Sequence, residues 1–264
     1  GGDTVPVKDA TEEWTGAGQP IGAWTSGGDM NTGRYGIGGI GITTAALAVG
    51  GRNPGAGNGV ANTESYNGTN WTEVNDLSTA RHSVLTSGTS STAALVFGGE
   101  DASRLAVTEV WNGTNWTEVN DLNTGRGEGG GAGTSTAALA FAGASSPTSI
   151  LAITESWNGT NWTEVNDLNT GRYQTTSGLG RVSTAALLAG GRNPPGPVAN
   201  TESWNGTNWT AVNALNTARS TAAGQTGTNT SALVTGGYTT TAVANTEEWN
   251  GVSWVEVADL STTR

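Results

Sequence analysis

Residues 111–126 read WNGTNWTEVNDLNTGR, and nearly the same words return along the whole chain. Close copies fill residues 66–81, 157–172 and 204–219. A looser copy fills 249–264, and a degenerate one 14–34. Thr-Glu or Glu-Glu precedes each copy, as in Thr108-Glu109 and Thr154-Glu155. The successive threonines Thr63, Thr108, Thr154, Thr201 and Thr246 are spaced by 45, 46, 47 and 45 residues, and the interval from Thr11 to Thr63 is 52. A period in this range marks a repeat architecture, in which each unit hides its apolar face only by stacking on its neighbours.

Working outward from that stretch, one unit divides into four strands. Residues 91–97, STAALVF, form a short continuous apolar run, the pattern of a strand covered on both faces. Gly98-Gly99 ends it where the backbone turns sharply. A loop that changes in length and sequence follows at residues 100–105. Residues 106–111 make a second strand. Asn112-Gly113-Thr114-Asn115 is a hairpin turn, because Asn-Gly tolerates positive φ. Residues 116–120 make a third strand, residues 121–126 a constant connector, and the Gly-rich residues 129–133 the remaining strand. Nothing has helical periodicity. Four short antiparallel strands repeated in this way describe the blade of a β-propeller, one all-β domain over residues 1–264. The apolar runs such as 93–97 are expected nearest the axis and the Trp116-type strands at the rim.

Composition narrows the partners. Gly is 42 of 264 residues, yet eleven Trp at fixed spacing argue for a folded chain. The net charge of −11, with Lys8 the sole lysine, is poor material for neutralising phosphates, so nucleic acid is not an expected partner. No apolar run approaches a membrane span. Cysteine is absent, which excludes disulfides. The recurrent Asn-x-Thr triplets, such as Asn112-Gly113-Thr114, are read as turn chemistry rather than glycan acceptors, since two sequons in every tight turn would crowd the surface.

At the level of motif the unit resembles the kelch repeat. The double glycine stands at Gly50-Gly51, Gly98-Gly99, Gly190-Gly191 and Gly236-Gly237, with Ala142-Gly143 as a departure. The aromatic of the next strand is Tyr66, Trp111, Trp157, Trp204 or Trp249, and the later Trp is Trp71, Trp116, Trp162, Trp209 or Trp254. The hairpin between them is shorter than in typical kelch blades. The Gly-x-x-Trp turn is also similar to the Asp-box of sialidase-type propellers, but its Asp is missing. The near-identity of the units, with WNGTNWTEVNDLNTGR followed by STAALAF, is similar to repeats in large virion proteins of marine bacteriophages, particularly those of cyanobacteria. That resemblance implies a place at a virion surface, outside the cell.

The blade count is uneven. Six aromatic-to-Trp hairpins begin at Trp14, Tyr66, Trp111, Trp157, Trp204 and Trp249, but only five apolar strands precede a glycine turn. Six blades with one incomplete are expected, on the reading that Gly1-Gly2 opens a blade at its middle; five blades are the alternative. On the six-blade reading Gly1 and Arg264 should lie side by side at the broken blade. The gap there would be filled by a neighbouring chain, by continuation of the polypeptide, or by residues such as Thr4 to Val7.

No catalytic centre and no cofactor are expected. The recurrent Glu64, Glu109, Glu155, Glu202 and Glu247, and the recurrent Arg34, Arg81, Arg126, Arg172, Arg219 and Arg264, occur in every unit, whereas a catalytic group is needed once. They are read as ion pairs that set register, and the Trp pairs as core. Galactose oxidase chemistry needs a Cys-Tyr pair and copper-binding His; here Cys is absent and His82 is alone. His82 follows a repeat Arg at a position that varies (Tyr35, Gly127, Tyr173, Ser220), so it is expected on the surface. The loops after the double glycine vary most, at residues 52–61, 100–106, 144–152, 192–199 and 238–244, and all should emerge on one face. Binding residues concentrate on such loops. Arg52, Asn53, Asp101, Arg104, Arg192, Asn193 and Tyr238 are the candidates, and Arg52-Asn53-Pro54 recurs as Arg192-Asn193-Pro194. The expectation is a non-enzymatic binding or structural module, such as a tail fibre or surface adhesin. Its partners would be host-surface glycans or other virion proteins within a larger, oligomeric assembly. The alternatives are a glycan-processing enzyme with its site on the axis, and an engineered repeat protein without a natural ligand. Unpaired carboxylates and Arg converging on the axis would mark the enzyme, and small residues there the binder.

Overall fold

The computed structural model describes residues 12–14, 24–53, 55, 58–175, 179–222 and 224–263. Five four-stranded antiparallel sheets follow one another in chain order. Blade 1 is Gly38–Ile42, Ala45–Val49, Thr63–Tyr66 and Trp71–Val74. Blade 2 is Leu85–Ser90, Ala93–Phe97, Thr108–Trp111 and Trp116–Val119. Blade 3 is Gly130–Gly133, Ala138–Phe141, Thr154–Trp157 and Trp162–Val165. Blade 4 is Leu179–Val182, Ala185–Ala189, Thr201–Trp204 and Trp209–Val212. Blade 5 is Gly224–Gly227, Ala232–Thr235, Thr246–Trp249 and Trp254–Val257. The chain is an all-β propeller of four-stranded blades.

In each blade the first strand is innermost and the Trp116-type strand is at the rim. The innermost strands of blades 1 to 5 pack side by side in that order. The apolar run therefore lies second from the axis, not nearest to it as expected. Crowding explains the difference. A Cβ at Gly131 of blade 3 would stand 2.2 Å from the Thr86 carbonyl of blade 2, and the axial strands of blades 1, 3 and 5 are Gly-rich. The apolar strand behind it supplies the wedge between blades. Four apolar clusters fill the four seams from blade 1 to blade 5, for example Leu85, Leu95 and Phe97 of blade 2 against Ala138, Ala140, Trp157 and Trp162 of blade 3. Ring contacts cross these seams, as with Phe97 on Trp162 at 4.8 Å and Phe141 on Trp209 at 4.9 Å. The departure at Ala142 is accommodated by strain, since Ala142 takes the same left-handed conformation (φ 60°) as the glycines at that place.

Six complete blades are not found. Only five apolar strands exist to be second strands, and the first hairpin, Glu12–Trp14 with Trp24–Ser26, pairs as a separate two-stranded sheet among the described residues. The structure thus has the five blades of the alternative count, plus this hairpin. The expectation about Gly1, Arg264 and residues 4–7 falls outside the described residues.

Candidate functional site

Antiparallel connection places the two kinds of link on opposite faces. The Asn-Gly-Thr-Asn turns share one face with the turns between the two inner strands; the variable loops and the connectors share the other. The turn face is uniform. In each blade the first turn Asn accepts two backbone N–H bonds on its Oδ1, as Asn112 does from Thr114 and Asn115 at 2.9 Å each. Most seams add an amide ladder, such as Asn120 Nδ2 donating to the Thr160 carbonyl at 3.0 Å and to Asn161 Oδ1 at 2.8 Å.

The repeated charges are consumed by structure. Arg34–Glu64 (2.6 Å), Arg81–Glu109 (3.1 Å), Arg126–Glu155, Arg172–Glu202 (3.1 Å) and Arg219–Glu247 (2.9 Å) each join a connector to the next blade, with both side chains almost fully buried. The same carboxylates accept connector amides, for instance Asn123 N on Glu155 at 2.7 Å. Burial pushes the guanidinium pKa of Arg81, Arg126, Arg172 and Arg219 below its usual value, and the partner glutamate opposes that shift. None of these groups is available to a ligand.

The loop face is different. Two residues after each repeat Arg the chain enters the left-handed region: Gly36 at φ 64°, Ser83 at 51°, Glu128 at 61°, Gln174 at 54° and Thr221 at 45°. Four of these five are not glycine, an arrangement that costs energy and tends to mark functional places. They are linked across the blades by backbone bonds. Ser83 N donates to the Gly36 carbonyl at 2.7 Å, Glu128 N to Ser83 at 3.0 Å, Thr175 N to Glu128 at 3.2 Å, and Thr221 N to Gln174 at 2.8 Å. This arc rims the mouth of the axis.

Around it lies a polar network. Arg104 bridges Glu100 and Glu128, with Nη2 at 2.9 Å from Glu128 Oε2. Gln174 Nε2 reaches Glu128 Oε1 at 3.4 Å, and His82 Nδ1 lies 3.0 Å from Ser83 Oγ and 3.5 Å from Glu100. Serine and glutamate meet the same ring nitrogen, so this is not the nucleophile–base–acid relay of a hydrolase, which uses both nitrogens. His82 is not on the surface as expected. It is 8% exposed, because its strand bridges to Glu100 beneath Arg104. Burial first, then the charges of Arg52 and Arg104, hold its pKa below the ordinary 6.5.

The structure sorts the seven sequence candidates into groups on this face. The charges of Arg52, Arg104 and Asp101 act on His82, the two arginines lowering its pKa and Asp101 raising it, and Asp101 Oδ1 accepts Gly59 N at 3.1 Å across the two loops. Asn53 Oδ1 accepts Gly55 N at 2.9 Å and so shapes its own loop. Arg192 and Asn193 belong to blade 4. There Asn193 Nδ2 donates to the Gly171 carbonyl at 3.0 Å beside an open depression of about 470 Å³. Thr170, Pro194, Pro195 and Val198 also line it. Tyr238, 45% exposed, stands apart on blade 5 and exchanges backbone bonds with Ser220. Sequence reading passed over Tyr35, Tyr173, Glu128 and Gln174. Tyr35 and Tyr173 exchange backbone bonds with Arg52 and Arg192, so both copies of the Arg-Asn-Pro loop begin beside a tyrosine. The changing residue types just after the invariant Arg were the available signal.

No protein-family model matches the chain, and no curated protein matches it by sequence. Among solved structures, that of YjhT is similar in fold: 13% identity, a TM-score of 0.77, and cover of 95% of this chain and 91% of that one.

Proposed function

We propose that the protein is a non-enzymatic binding module whose loop face is the recognition surface. The observation that carries this reading is the segregation of side chains. Groups repeated in every blade are buried in seams, while residues found in only one or two blades lie on the loop face: Tyr35, Tyr173, Tyr238, Arg52, Arg104, Arg192 and His82. Aromatic and arginine side chains on loops held by a rigid frame are the material of recognition sites. The innermost strands, such as Gly130–Gly133, carry mostly small residues, and the carboxylates of Glu100 and Glu128 are engaged by Arg104, which favours a binder over an axial enzyme. The phage-like repeat supports reading the module as a virion component, part of a tail fibre or adhesin that meets a host-surface glycan. A printed panel of neutral, carboxylated and sulfated glycans tests this. Binding to one class, lost in the Tyr35→Ala/Tyr238→Ala double variant and kept in Asn112→Ala, is expected. Binding to no glycan, or binding that only Asn112→Ala removes, would overturn it.

We also propose that the ring has six blade positions. The connector after the first hairpin docks on blade 1 as the connectors after blades 1 to 4 dock on their successors: Asn31 N and Nδ2 donate to Glu64 at 2.7 and 2.9 Å, and Nδ2 to the Trp71 carbonyl at 3.2 Å. The hairpin thus holds the outer half of the position before blade 1.

A further inference from the structure

Blades 1 and 4 begin their loops alike, with Arg-Asn-Pro beside a tyrosine, and then part. In blade 1 the sequence goes on as Gly55-Ala56-Gly57, and Asn53 Oδ1 accepts Gly55 N at 2.9 Å, so that oxygen serves its own loop. In blade 4 it goes on as Pro195-Gly196-Pro197, and Arg192–Asn193 pairs with Gly196–Pro197 as a small antiparallel ribbon. Prolines that fix φ at about −65° stand where blade 1 has glycines, so the ribbon is the stiffer of the two. Asn193 Nδ2 donates to the Gly171 carbonyl at 3.0 Å, which ties the ribbon to the connector entering the blade. The ribbon, Thr170 of that connector and Asn200 line the open depression of about 470 Å³. Small-molecule sites span roughly 300–1,000 Å³.

A second departure from the repeat falls at the same place. The residue before the third strand is Asn in blades 1, 4 and 5. Asn62 Nδ2 donates to Glu73 Oε1 at 2.9 Å, and Asn245 Nδ2 to Glu256 Oε1 at 2.8 Å, each reaching the rim strand of its own blade. That rim glutamate recurs as Glu118 and Glu164, but in blade 4 it is Ala211. With no carboxylate to receive it, the Asn200 amide has no partner among the described residues, and it lines the depression. The one rim position that lacks its glutamate is thus the one whose asparagine borders the depression.

We infer that the depression is a subsite for one uncharged sugar residue of a glycan. The inference deepens the loop-face reading proposed above and rests on it. Thr170, Asn193 and Asn200 bring a hydroxyl and two carboxamides, groups that both donate and accept and so match sugar hydroxyls. The prolines and Val198 form an apolar wall for the C–H face of a sugar ring. No lining residue is charged. A carboxylated or sulfated sugar would lose hydration there with no guanidinium to replace it, and the net charge of −11 would repel it. No lining residue is aromatic either, whereas a proline-rich peptide docks in an aromatic-lined groove. The stiff ribbon has little freedom to lose when the sugar enters.

The probes are the methyl glycosides of glucose, galactose, mannose and N-acetylglucosamine, with a methyl glucuronide and a sulfated galactoside as charged counterparts. Titrated into the nitrogen-labelled chain and followed by NMR, at least one neutral glycoside should shift the side-chain amide signals of Asn193 and Asn200 and saturate at one site. The charged pair should not. Ala211→Glu restores the repeat's own residue at an exposed position. It should leave the melting temperature unchanged, hold Asn200 as Glu73 holds Asn62, and weaken the sugar by at least ~10-fold, about 1.4 kcal/mol. Asn200→Ala should weaken it as much without adding a charge. No shift at Asn193 and Asn200, a preference for a charged glycoside, or unchanged affinity in both variants overturns the inference. Loop-face recognition then still stands if the glycan panel shows binding, and falls only if the panel shows none. Shifts at Asn193 and Asn200 caused by an oligoproline peptide and by no sugar would overturn it by assigning the depression to a protein partner.

Discussion

The seams between blades and the mouth on the loop face are made by one repeating chain, yet they treat charge in opposite ways. In a seam, Arg126 and Glu155 are shut away completely, and the carboxylate also collects the amides of Asn123 and Thr124. At the mouth, Arg104, Glu100 and Glu128 remain 13–24% exposed and draw on two blades with no repetition. The seam uses charge to fix register, where a wrong partner would strand a buried ion. The mouth uses it in a partly wet setting, where a pair can be opened for a ligand at small cost.

The sharpest way to break this comparison is to neutralise one carboxylate in each region. Glu155→Gln leaves Arg126 buried without its counter-charge and should cost ~3–5 kcal/mol in urea unfolding. Glu128→Gln should cost under ~1 kcal/mol, as partly exposed pairs do. Similar losses in both variants would abolish the distinction between seam and mouth.

A smaller effect separates a seam that has the indole bond from the edge of blade 1, where Trp71 Nε1 makes none. Trp162→Phe removes the donor to Thr108 Oγ1 and orphans a buried hydroxyl, whereas Trp71→Phe removes an Nε1 that has no partner. Both lose similar ring volume. The first should therefore cost ~1–2 kcal/mol more than the second by chemical denaturation. Equal costs would show that the indole bond contributes nothing to closure.

Much of the seam was legible in the sequence and little of the mouth was. A residue that recurs every 45 to 47 positions announces a structural duty, so Glu109, Arg126 and the Trp pairs could be assigned to the interior before any coordinates. The Asn-Gly turns were equally plain, because their chemistry is local. Strand order toward the axis was missed, since apolar character marks burial and not proximity to the axis; the Gly-rich strand is innermost for want of room. The bridge of Arg104 to Glu128 joins residues from different blades with no common motif. The positive φ of Glu128 and Gln174 was hidden because neither is glycine. His82 was misplaced for the same reason: a variable position was equated with an exposed one.

Strain at the mouth gives a third, still smaller test. Gln174 holds φ at 54°, which glycine adopts without steric cost. Gln174→Gly should raise stability by up to ~1 kcal/mol in thermal unfolding, a net of relieved strain and added chain entropy. A clear loss would mean that the Gln174 side chain, through Glu128, is worth more than its backbone strain.

The smallest expected effect is the most specific to the mouth, because His82 is the only histidine in the chain. Its folded pKa lies below the ordinary 6.5, through burial and the nearby Arg52 and Arg104. The unfolded chain therefore binds more protons than the folded one once the pH drops through 6.5. Stability must then fall with falling pH, and the loss levels off only below the folded pKa. Above 6.5 the neutral ring costs nothing. Unfolding curves between pH 7.5 and 5 should show this decline in the wild type and a flatter profile in His82→Gln, with the two converging at the alkaline end. An identical decline in both proteins would assign it to carboxylates elsewhere. A decline in the opposite direction, with stability rising as His82 charges, would mean that Glu100 at 3.5 Å outweighs burial and the two arginines.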